Sequence, residues 1–241
     1  MAQGLISAPA PTPFLDPHKL EEGRRVLKEL ETTPGATEQD LSDQQIKMVK
    51  YLLDHDLFAF NWFIFRHNDL IESLHGRICN LLNLWGWCEL NDGSWTMQPD
   101  TSQEQHIKTD YRRLMILIPR EFFKTSLATR ANSLWKIVNY PNEPVVIVNE
   151  RLENAKKWMR SIREVVENSL LFQVVYKDLL PPGIARWDNR FRPRNWKWTD
   201  DYLQFQRSEI GIPEASLTAL GIGAAAAGGH WNWLIKDYLI S

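Results

Sequence analysis

The chain has 241 residues, enough for one large domain or a domain with an arm, and its 44% hydrophobic and 24% charged residues are those of a globular protein with a sizeable core. A formal net charge of −2 excludes a global electrostatic attraction to nucleic acid, so any such contact is local. Two cysteines, Cys79 and Cys88, are too few for a disulfide framework and lack metal-ligand partners at suitable spacing, as expected in a reducing cytosolic setting. No stretch reaches transmembrane length, and the first residues lack the basic and apolar regions of a signal peptide.

Residues 1–16 are rich in Pro and Ala and read as a disordered arm. Residues 17–110 read as a mainly helical lead-in. Asp16-Pro17 supplies an N-cap with proline at the first helical position, and Leu20, Val26, Leu27 and Leu30 form a stripe that Thr32–Ala36 interrupts. A second helix starts at Asp40 or Ser42, with Ile46, Val49, Leu52 and Leu53 on one face. The aromatic run Leu57–Phe65 is expected to be buried. A third amphipathic helix is expected over 68–84, with Leu70, Ile71, Leu74, Ile78, Leu81 and Leu82 inside. Residues 85–110 read as a loop or short hairpin.

From residue 111 the pattern changes. Leu114–Ile118 is an apolar run expected to form a buried strand, followed by the turn Pro119-Arg120-Glu121-Phe122-Phe123 and then Lys124-Thr125-Ser126 at the start of a helix reaching about Asn139. Strand, tight turn, Lys-Thr and helix form the layout of a phosphate-binding loop. The first N–H groups of a helix are unpaired and carry partial positive charge, a lysine there reaches the terminal phosphates, and the adjacent hydroxyl holds Mg²⁺. Phe123 stands where such loops have glycine. An ordinary strand-turn-helix with a surface lysine is the competing reading of the loop alone.

Val145–Val148 is a continuous apolar run, as in a strand buried on both faces of a parallel sheet, and Glu150–Glu167 is a strong helix. Trp196–Trp198, Tyr202–Gln206 and Ser216–Ile222 read as short strands, and Gly221–Gly229 as a small-residue turn. The last apolar run, from Trp233, ends in Asp237, the acid that a phosphate loop needs beside it to hold Mg²⁺ together with Thr125.

Four stretches, PREFFKTS (119–126), the segment 145–173, EASLTALGIG (214–223) and GGHWNWLIKDYLIS (228–241), resemble the ATPase part of the large terminase subunit of tailed bacteriophages, the DNA-packaging motor. The resemblance covers the second half well and the lead-in loosely. It implies an α/β P-loop NTPase of the ASCE type, with a mainly parallel sheet flanked by helices, a helical lead-in, and a core over 111–241 that is incomplete at its C-terminal end. It implies ATP and Mg²⁺ as cofactors, with Lys124 on the β- and γ-phosphates, Thr125 and Asp237 on the metal, and Arg120 contacting phosphate or sensing the nucleotide. Pro119, Glu121, Phe122, Phe123 and Ser126 complete the loop. The implied reaction is in-line attack of water on the γ-phosphate. The implied partners are double-stranded DNA, the portal protein, the small terminase subunit and further copies in a ring. The implied location is the host cytoplasm, transiently at the procapsid portal vertex, without membrane contact.

Two positions depart from the family pattern. Tyr238 follows Asp237 where the family has a second acid that orients the attacking water, and the turn Ala224–Gly229 lacks the arginine that acts in trans. The resemblance therefore implies nucleotide binding more firmly than turnover. A helicase-like ATPase and an ATP-binding interaction module without turnover are the rival readings.

The interleaved Arg186, Trp187, Arg190, Phe191, Arg192, Arg194, Trp196, Lys197 and Trp198 suit contact with a nucleic-acid backbone, against a simpler reading as a surface loop over packed aromatics. That simpler reading is preferred. His67 and His75 lie in a region that the resemblance links to adenine binding, with capping or surface roles as the preferred alternative.

Overall fold

The computed structural model describes residues 15–97, 99, 101–119, 121–185, 188, 196–209, 211–222 and 229–237. The fold is mixed α/β. The first helix, α1 (Pro17–Thr32), is capped by Asp16, whose carboxylate accepts from the N–H groups of His18 at 3.0 Å and Lys19 at 3.4 Å. The second, α2 (Asp43–His55), opens with a reciprocal capping box between Ser42 and Gln45. These helices meet at Gly23, where a Cβ would stand 2.7 Å from the Met48 carbonyl oxygen, so the close approach requires glycine. The aromatic run forms α3 (Leu57–Ile64), buried as expected and capped by Asp56.

The helix expected over 68–84 is shorter and changes pitch. A wide π-type turn (Glu72–Gly76) leads into α4 (Arg77–Asn83). The expected stripe is rotated by this turn, leaving Ile71 and Leu74 exposed while Leu70, Cys79 and Leu82 are buried. Residues 85–110 then form a small antiparallel sheet of β1 (Cys88–Leu90), β2 (Trp95–Thr96) and β3 (Ile107–Asp110), in the order β2-β1-β3, with the short α5 (Thr101–Glu104) before β3.

The expected buried strand Leu114–Ile118 is not a strand. It joins no ladder among the described residues, and Met115 and Leu117 are 86% and 81% exposed. After it, a helical run starts as a π-type segment (Thr125–Ala131) and continues as α6 (Asn132–Asn139). The main sheet comprises β4 (Val145–Asn149), then, beyond α7 (Leu152–Asn168) and α8 (Leu170–Val175), β5 (Tyr202–Leu203), β6 (Leu217–Gly221) and β7 (Trp233–Lys236). Its order is β5-β6-β4-β7. The β4 strand pairs in parallel with both β6 and β7, and β5 runs antiparallel to β6.

Consecutive burial of Val145, Val146 and Ile147 shows that both faces of β4 are covered, as a parallel central strand requires. The α7 helix packs on β4 and β6, while α6 packs on β4 and ties back to the helical region through the Trp135 indole, which donates to the Leu53 carbonyl at 3.0 Å. Among the described residues, no helix is long and apolar enough to cross a membrane.

Most of the turn Gly221–Gly229, together with Arg120, Arg186, Trp187, Arg190, Phe191, Arg192, Arg194 and Tyr238, lies outside the described residues. Of the basic-aromatic segment, the Trp196 indole donates to the Gln204 carbonyl at 2.7 Å. The Trp198 indole donates to Glu167 at 2.8 Å, so these two rings serve packing.

Candidate functional site

The site is assembled where β7 and the helical run after the loop lie side by side. Asp237, one residue beyond β7, is buried, and its N–H donates to the Val148 carbonyl at 3.1 Å. Two hydroxyls 112 and 108 residues upstream converge on one carboxylate oxygen, with Thr125 Oγ1 at 2.7 Å and Thr129 Oγ1 at 3.0 Å from Asp237 Oδ2. The second oxygen, Oδ1, faces Lys124 Nζ at 3.9 Å. Thus Lys124, Thr125 and Asp237, which the sequence singles out, come together around one buried acid. Lys124 offsets its charge and two hydroxyls donate to it.

Thr129 escaped the sequence reading, although its spacing of four from Thr125 puts both on one helix face. Asn149 was also missed. It ends β4, is buried, donates from Nδ2 to the Asp237 carbonyl, and accepts at Oδ1 from the Arg151 N–H at 3.0 Å and Asn154 Nδ2 at 3.1 Å. The available signal was its position, an amide at the carboxyl end of an otherwise apolar strand.

The loop has an unusual backbone. Glu121 and Phe123 have φ of 72° and 53°, the left-handed region that favours glycine. Phe123 therefore takes a backbone conformation usual for glycine. Its ring stands 5.4 Å from that of His75, edge to face, and 6.1 Å from that of His67, so packing holds a backbone that L-residues disfavour. Pro119 and Glu121 are exposed, and Phe122 is partly exposed.

Ser126 accepts from the Arg130 guanidinium, which also donates to Ser161 Oγ at 2.9 Å and lies 3.4 Å from His67 Nε2. A guanidinium cannot accept, so Nε2 is the acceptor and His67 carries its proton on Nδ1, directed to Asn61 Oδ1 at 3.3 Å. Burial first, and the Arg130 charge second, push His67 down to about 4, leaving it neutral at neutral pH. Arg130 is itself pushed down by burial. This cluster ties the post-loop helix to α7 and to the region after α3.

A cavity of about 770 Å³ opens between the Leu114–Pro119 stretch and β7, with Lys124, Thr129 and Asp237 in its wall. The volume is within the range of small-molecule sites. The donor set also fits a magnesium nucleotide, because Mg²⁺ prefers hard oxygens and takes one or two protein ligands alongside phosphates and waters. Asp237 and Thr125 supply such oxygens, and among the described residues no group of three or more His, Cys, Asp or Glu side chains forms a protein-only metal cage. Both cysteines are free and buried, and burial pushes the Cys79 thiol up, away from reactivity.

Asp54, His55 and Asp56 have structural partners. Asp54 pairs with Lys50 and accepts from the Tyr176 hydroxyl, His55 contacts the Tyr51 carbonyl, and Asp56 pairs with Arg24.

Compared with known proteins, the chain matches no family model, no curated protein and no solved structure.

Proposed function

We propose that this chain is a magnesium-dependent nucleotide-binding protein of the P-loop NTPase class. The observation carrying the reading is the convergence of Thr125, Thr129 and Lys124 on buried Asp237 beside a cavity of ligand size. Within that class, the stretches resembling large terminase subunits favour the ATPase part of a viral DNA-packaging motor. On this proposal, double-stranded DNA, a portal and a small terminase subunit are partners, and copies act in a ring.

Lys124, which faces Asp237 at 3.9 Å, would bind the β- and γ-phosphates of a nucleotide, exchanging a carboxylate for phosphate oxygens. Thr125 and Asp237 would hold Mg²⁺, and the metal would neutralise charge on the phosphates. Thr129 keeps its hydrogen bond to Asp237 and fixes the carboxylate rotamer, so that the second oxygen faces the site. Hydrolysis would form a bond from water oxygen to the γ-phosphorus, break the bond to the ADP oxygen and release the water's proton to solvent.

The test is calorimetric titration of the protein with ATP and Mg²⁺, beside Lys124→Ala. Saturable binding by the wild type and its loss in the variant are expected. Wild-type protein that takes up no nucleotide, or a variant that binds equally well, overturns the reading. Phosphate release on the same samples separates hydrolysis from binding alone.

A further inference from the structure

Lys136 is fully buried, although an ammonium group is among the costliest to remove from water. It sits on α6 with its Nζ 4.0 Å from the ring centre of Trp233, the first residue of β7. The rings of Trp85, Trp135 and Tyr140 stand at 5.2, 5.2 and 5.4 Å. Its hydrogen-bond acceptor is the Trp85 carbonyl oxygen at 2.7 Å, in the turn after α4. Burial pushes its pKa well down, and Glu143 opposes the shift from longer range. The cage is tightly closed. The Trp85 and Trp233 rings meet edge to face at 4.9 Å, and Gly86, with φ of 101°, lies so close to Trp233 that a Cβ would stand 2.4 Å from the indole.

Position gives this cage its meaning. Thr125, Thr129, Asn132 and Lys136 are spaced four, three and four apart, which lines them along one helix face. The first two hold Asp237 and the last holds Trp233, so helix and strand are fastened at two points. The helical run rises by up to about 16 Å from Thr125 to Lys136, less where its π-type turns are wider, and the strand advances about 13 Å from Trp233 to Asp237. The two fastenings therefore close one seam at its opposite ends.

We infer that Lys136 is a positioning residue that, by gripping Trp233 and the Trp85 carbonyl, sets how far β7 extends along the helix and so where Asp237 stands relative to Thr125. The inference rests on the nucleotide reading for its consequence and on the seam for its mechanics. The cation–π and hydrogen-bond contacts hold both sides at once, which an apolar side chain of equal volume does not do.

The experiment uses Lys136→Met, which keeps the volume and removes the charge. The variant ends the desolvation cost of the ammonium but leaves the Trp85 carbonyl without this donor, and because the two effects oppose, its Tm is expected to stay close to that of the wild type. Two readouts are expected to change. In nucleotide-free protein, hydrogen exchange at the Asp237 amide quickens at least tenfold while the β4–β6 amides keep their rates. In the nucleotide titration, the Mg²⁺ concentration for half-maximal binding rises at least fivefold. Unchanged Asp237 exchange overturns the inference. Should Lys136→Met fail to fold, Trp233→Phe, which shrinks the ring nearest the ammonium, is judged by the same exchange criterion. Wild-type protein that binds no nucleotide overturns the functional reading alone, because exchange still decides the seam.

Discussion

Two short apolar runs, Leu114–Ile118 and Val145–Val148, read alike in the sequence and have opposite surroundings. The second lies in β4 with β6 on one side and β7 on the other, and three consecutive residues are buried. The first has no ladder partner among the described residues and alternates between half-buried and exposed side chains. Apolar composition brings a segment toward a sheet, but a strand needs a neighbouring backbone to take its N–H and C=O groups. Where that neighbour is missing, the segment lies along a cavity wall.

The largest effect that tests this contrast is a pair of truncations. Ile147→Ala, at a fully buried position, is expected to lower stability by about 2–5 kcal/mol. Leu117→Ala is expected to stay within about 0.5 kcal/mol. Urea denaturation of both variants measures the difference. A Leu117→Ala loss as large as that of Ile147→Ala would mean that the first run is packed in solution like the second.

A smaller effect separates the strained loop from the helical run beyond it, which opens with π-type turns. Glu121 is exposed at φ of 72°, so Glu121→Gly relieves a left-handed backbone and is expected to stabilise by up to about 1 kcal/mol. In the following helix, Ala128→Gly is expected to destabilise by about 1 kcal/mol. Thermal unfolding of the two variants should therefore shift in opposite directions.

The smallest effect concerns pH. His67 titrates near 6.5 when unfolded and is held down to about 4 when folded. Between these values the unfolded chain binds a proton that the folded chain does not, so stability falls as pH drops from about 6.5 toward 4. Because His67 is only half-buried, its share is discounted for solvent screening. The difference in Tm between wild type and His67→Gln should shrink across that window, and a constant difference would show that His67 titrates normally.

How much of this was legible depended on the range of the forces involved. Asp16-Pro17 announced the first helix and Ser42 was one of two starts legible for the second, because caps are local chemistry, whereas the reciprocal bond from Gln45 showed only in the structure. The burial of the run from Leu57 and the centrality of Val145–Val148 followed from apolarity and length. The exposure of Ile71 and Leu74 did not, since a change of helical pitch at Glu72–Gly76 rotates the stripe without leaving a mark in its spacing. Lys124, Thr125 and Asp237 could be named together because their residue types carry a recognisable division of labour. Arg130 and Asn149 could not, and the sequence favours a capping or surface role for His67 rather than that of acceptor of Arg130, because these roles exist only after distant segments meet. The positive φ of Phe123 was half legible. A missing glycine was evident, whereas the His67 and His75 rings that flank its side chain belong to tertiary structure.

Among the described residues β7 is the outermost strand of the main sheet, with Leu234 exposed on one face and Lys236 two residues further along. An outermost strand offers a row of unused donors and acceptors to any other chain that presents a matching edge. Lys236 places a charge on that border, and such charges discourage chance stacking into fibrillar assemblies. The same border faces the Leu114–Pro119 stretch across the cavity, so Lys236 sets a charge on the rim of the space that Asp237 lines.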